Sequence, residues 1–96
     1  MSIIVEPNKV FPGNLVTIIG QNFIPYSIIS LSFKYEYPKN SEHGICAIEI
    51  DKFGKFTYEF YPNKNLRYYL STGIGKIIAT DKDNNFYISS NIKFIN

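Results

Sequence analysis

The chain has 96 residues, room for one domain spanning residues 1–96 and for one hydrophobic core. Hydrophobic residues make up 45% and aromatics 17%, with eight Phe, eight Tyr and no Trp, a composition that disfavours disorder. One cysteine and one histidine exclude an internal disulfide and any site built on several of either, and a formal charge of +2, carried by basic residues spaced singly between Lys9 and Lys93, lacks the clustering that nucleic acid requires.

In chain order, the opening MSIIVEPNK has no basic leader region, and no window approaches an apolar span. No signal peptide and no membrane insertion are expected, and an extracellular surface or virion setting is the favoured one. Residues 3–5 predict a short strand closed by Pro7 and Asn8. Pro12-Gly13-Asn14 predicts a turn, because proline presets φ and glycine accepts positive φ. A strand over 15–19 ends at Gly20-Gln21-Asn22. Residues 28–37 alternate with period two: Ile29, Leu31, Phe33, Tyr35 and Tyr37 share one face, and Ser30, Ser32, Lys34 and Glu36 the other. A polar loop is expected over 38–44. Residues 45–50 and 55–61 predict a hairpin across Asp51-Lys52-Phe53-Gly54. Residues 62–74 are irregular, with at most one helical turn around Leu66, Tyr69 and Leu70. A second hairpin joins 75–80 to 86–94 across 81–85. Seven strands separated by turn residues about every ten positions predict an all-β sandwich or barrel.

Residues 3–23, IIVEPNKVFPGNLVTIIGQNF, carry Ile3 and Pro7, then Pro12, Gly13, Val16, Thr17, Ile18, Gly20, Asn22 and Phe23 at family-like spacing. This resembles the opening of the immunoglobulin-like IPT/TIG domains and related bacterial or phage Ig-like modules. Asp51-Lys52-Phe53-Gly54-Lys55-Phe56 is similar to the family's D-x-x-G-x-F hairpin, and residues 75–81 to its penultimate strand. The resemblance implies an immunoglobulin-like β-sandwich of about seven antiparallel strands. Gly75 departs from it, standing near the place where many such domains carry a corner tyrosine.

Candidate chemistry is sparse. His43 and Cys46 lie three apart, which on a regular extended segment sends them to opposite faces, so they make a poor nucleophile-base pair. Glu42 adds a third weak donor, short of a closed metal site. Asp81-x-Asp83-x-Asn85 begins like a calcium loop, but Phe86 stands where the turn glycine belongs and Ile92 where the closing Glu belongs, so an Asx-rich turn is the preferred reading. Glu49 and Glu59 are expected on solvent faces. Tyrosine is in surplus: eight exceed what one small core holds, and Tyr61, Tyr68 and Tyr69, with Arg67 beside them, predict an exposed contact surface. The sequence therefore predicts a non-catalytic, adhesive or structural interaction module of a larger assembly, without cofactor or metal, binding a protein partner and neither nucleic acid nor a membrane interior. The alternative is a carbohydrate-binding module whose exposed tyrosines stack a glycan.

Overall fold

The computed structural model describes residues 2–11, 14–37, 41–61, 73–83, 85–89 and 91–95. Every regular element among them is a strand: β1 (Ser2–Glu6), β2 (Lys9–Val10), β3 (Val16–Gln21), β4 (Ile28–Tyr37), β5 (Ser41–Glu49), β6 (Phe56–Phe60), β7 (Gly73–Thr80), β8 (Phe86–Ile88) and β9 (Ile92–Phe94). One sheet has the order β1-β3-β6, all antiparallel. The other has the order β2-β9-β7-β4-β5, with β8 also on β7. The all-β expectation holds, in two sheets packed face to face.

Period-two alternation explains the packing. In β1 and β3 every second residue is buried, which places Ile3, Val5, Val16 and Ile18 between the sheets. From β4 come Ile29, Leu31, Phe33 and Tyr35, the face expected from the sequence. Phe33 is fully buried, its ring edge-on to Tyr35 and Phe94 with centroids 4.7 and 5.0 Å away. Against that ring the backbone of β7 runs without a side chain. A Cβ on Gly75 would meet the Phe33 ring and lie 2.6 Å from the Lys34 carbonyl oxygen. The residue that breaks the family pattern is thus required by the packing.

Three expectations change. The first is the loop over 38–44: β5 already begins at Ser41, because Glu42 and His43 pair with Lys34 and Phe33 of the ten-residue β4. The second is the hairpin of 45–50 with 55–61, whose arms enter different sheets. The turn between them closes normally, but Ile50 donates its N–H to Ser27 O (2.8 Å) and accepts from Tyr26 N–H (3.0 Å), while Gly54 O accepts from Phe23 N–H (3.0 Å). Each arm is drawn to a different neighbour. The third is the single strand over 86–94, which is split. β8 pairs with residues 78–80 of β7 and β9 with residues 73–75, and between them Ser89 takes over. Its Oγ accepts the Ile77 N–H (2.8 Å) and its own N–H donates to Ile77 O (2.9 Å). The predicted helical turn around Leu66, Tyr69 and Leu70 lies outside the described residues.

The sheet switch after β1 was not foreseen. The chain leaves the first sheet at a cis Glu6–Pro7 bond, and Lys9 and Val10 then pair in parallel with β9 of the second.

Candidate functional site

Three segments meet at one end of the sandwich: 22–29, the connection from β3 with the first two residues of β4, and the turns beginning at Asp51 and Asp81. The two turns have the same construction. In each, an Asp carboxylate oxygen accepts the backbone N–H groups two and four residues on, at 2.8 Å from Phe53 and Lys55 and at 2.9 Å from Asp83 and Asn85. In each, the Asp backbone N–H also donates to the carbonyl four residues on, Lys55 O at 3.0 Å and Asn85 O at 3.1 Å. This is the side-chain mimicry that makes Asp a turn residue. Asp81 takes a further bond from Asn85 Nδ2 (3.1 Å). Bonds from Asn85 above all, with those from Asp83 and the Tyr87 hydroxyl, hold its carboxyl below the usual aspartate range. The Asx-turn reading of Asp81-x-Asp83-x-Asn85 is the observed one.

The 22–29 segment is held from both sides. Asn22 and Tyr26 both have φ of 63°, in the left-handed region. Asparagine is at home there, but a bulky tyrosine is an outlier. Hydrogen bonds fix it: Tyr26 N–H to Ile50 O, and Ser27 N–H and Oγ to Ile24 O at 3.3 and 2.6 Å. Gly54, with φ of 76°, lets the turn press against Phe23, whose carbonyl oxygen would lie 2.5 Å from any Cβ there.

These constraints produce an apolar rim. Ile24 is 70% exposed, Tyr26 66%, Ile28 61% and Phe53 71%, with the Lys52 ammonium 5.2 Å from the Phe53 ring centroid. Between 22–29 and the Asp81 turn lies a cleft of about 280 Å³, floored by Phe23 and Ile29 and walled by Tyr87, Asp81, Lys82 and Asp83. Phe23 and Tyr87 meet edge-on at 5.1 Å, so the floor is fixed by core packing. The sequence reading placed the contact surface elsewhere. Tyr68, Tyr69 and Arg67 lie outside the described residues, and Tyr61 is exposed just after β6, away from the 22–29 segment. The missed signals were Asp-Lys recurring at 51–52 and 81–82, and Ile24, Tyr26 and Ile28 alternating through the β3–β4 connection into the exposed start of β4.

His43 and Cys46 differ from expectation as well. A bulge between Leu31 and Ser32 leaves Ile45 as an extra residue, so Cys46 pairs with Leu31 and His43 with Phe33. Both therefore lie on the inward face of β5, not on opposite faces. The Cys46 sulfur bonds to the Tyr58 hydroxyl of the facing sheet. Burial raises the thiol above its ordinary range, and the Tyr58 bond offsets this only in part. Tyr58 is raised too, by burial first and then by Cys46. Activated thiols are shifted in the opposite direction.

No family model and no curated protein match the chain. Among solved structures, it is similar to the superoxide reductase (neelaredoxin) from Ignicoccus hospitalis, with TM-score 0.57 and 14% identity over 98% of this chain and 80% of that one. This corrects the expectation of a non-catalytic chain. The superoxide reductase shares this β architecture, so the fold itself does not exclude catalysis. At that identity the likeness shows the fold alone. Among the described residues, no three His, Cys, Asp or Glu side chains stand close enough to hold a metal ion.

Proposed function

We propose that the chain is an immunoglobulin-like interaction module of a larger assembly that binds a protein partner through the end formed by 22–29, the Asp51 turn and the Asp81 turn. The observation that carries this is Tyr26. Its left-handed φ costs about 1–2 kcal/mol for a non-glycine residue, its backbone is pinned at three hydrogen bonds around it, and its ring still stands in solvent. Strain held in place without a gain in burial marks a position shaped by something other than folding. Ile24, Ile28 and Phe53 make the surroundings an apolar patch on a rigid support, the form a protein contact takes. The immunoglobulin-like assignment is supported by the two-sheet core and by the residues at 3–23 that resemble those families.

The test is selection of random peptides against the domain. Selected peptides should lose binding to a combined Ile24→Ser, Tyr26→Ser variant whose thermal midpoint is unchanged. Peptides that bind the variant equally well would place the contact surface elsewhere, and Tyr26-dependent binding on a glycan array would favour the carbohydrate alternative.

A further inference from the structure

The cleft beside Tyr26 carries more information than its apolar rim. At about 280 Å³ it stands at the small end of the roughly 300–1,000 Å³ of ligand sites. That volume admits one or two side chains protruding from a partner. Its wall is acidic, with the carboxylates of Asp81 and Asp83 against the single ammonium of Lys82. Asp81 is committed to its turn and stays ionised, since its hydrogen bonds favour the charged form. Asp83 uses its backbone N–H in the same turn, while its exposed carboxylate makes no ion pair among the described residues. The Ser27 hydroxyl is already donated to Ile24 O. What the cleft offers is therefore apolar contact from Ile24, Tyr26 and Ile28, and one negative pole at its far wall. One net negative charge at that wall favours a cationic side chain over the phosphate of an anionic lipid as occupant.

We propose that this cleft receives a partner segment presenting an arginine or lysine side chain next to a large apolar one. The apolar group lies against Tyr26 and the two isoleucines, and the cation meets the Asp83 carboxylate with Asp81 behind it. The inference rests on the interaction-module reading and adds the chemistry of the partner. Arginine suits it best, because its guanidinium stacks on an aromatic face while its N–H groups bond a carboxylate.

Titration of the ¹⁵N-labelled chain with acetyl-Ile-Arg-Phe-amide, and with the same peptide carrying the uncharged isostere citrulline in place of arginine, tests it. Amide shifts should be confined to 23–29 and 81–87, and the citrulline peptide should bind about three- to tenfold more weakly. Asp83→Asn should remove most of that difference while leaving the thermal midpoint unchanged. Equal binding of both peptides at this cleft would overturn the cationic assignment and leave the interaction surface standing. Shifts elsewhere, no shifts with either peptide, or shifts produced instead by vesicles of phosphatidylcholine and phosphatidylserine would overturn the inference outright. A surface that fails for randomly selected peptides as well removes the broader reading with it.

Discussion

Two residues at the same end of the sandwich show left-handed backbone used in opposite ways. At Gly54 the conformation and the close approach of the Phe23 carbonyl both forbid a side chain. Gly54→Ala should lose about 1–3 kcal/mol of unfolding free energy in urea, and an unchanged midpoint would contradict the geometry. At Tyr26 the same φ region is imposed on a side chain that gains little burial. Relief of strain there opposes the greater unfolded-state freedom of glycine. Tyr26→Gly should therefore hold or raise stability, by up to about 1 kcal/mol, while peptide binding is lost. Asp81 makes a pH-dependent contribution. Its folded carboxyl titrates below the unfolded one, so its stabilisation is present above the ordinary aspartate range, roughly pH 4, and is lost as pH falls through the folded value. Thermal midpoints of the parent and of Asp81→Asn should differ at neutral pH and converge toward pH 2. A gap that persists in acid would assign the effect to something other than the carboxylate.

Among the elements, the junction of β8 and β9 on β7 depends on one side chain. Between the Ile78–Ile88 and Gly75–Ile92 pairs, β7 advances three residues and the opposing chain four, so the ladder cannot continue in register. Ser89, itself buried, accepts the Ile77 N–H that the ladder leaves over. Ser89→Ala should cost about 1–3 kcal/mol, the penalty of a buried donor without its acceptor. Hydrogen exchange should show the loss of protection concentrated at Ile77, and even exchange across β7 would argue against this role. The β5 bulge acts similarly on direction. By adding Ile45 it turns His43 to the same side as Cys46, and so changes which chemistry those two residues can be asked about.

For the whole molecule, the fully buried Phe33 and its ring neighbours Tyr35 and Phe94 tie β4 to β9 within the core. Phe33→Ala should cost about 3–5 kcal/mol, much of the roughly 5–15 kcal/mol that holds a domain together. A cooperative transition at the parent midpoint would show that the core does not depend on this ring. The same rigid core makes the Tyr26 end a fixed platform, since Phe23 and Tyr87 anchor its floor to the strands behind.

Alternation along 28–37, the turn glycines and the rhythm of apolar runs already specified an all-β chain and the inward face of β4, because side-chain direction in a strand follows from parity alone. Parity fails where a residue is added, at Ile45 and between β8 and β9, and no local pattern marks such places. Nor does a turn reveal where its arms go. The Asp51 turn has the chemistry of a hairpin, yet its arms part because Ile50 and Gly54 find different partners across the fold. Composition announced a surplus of aromatic surface, while the choice of Tyr26, Ile24 and Phe53 as its exposed members was made by tertiary structure. Exposure depends on which loops the two sheets bring to a common end, and that is decided by contacts between residues far apart in the chain.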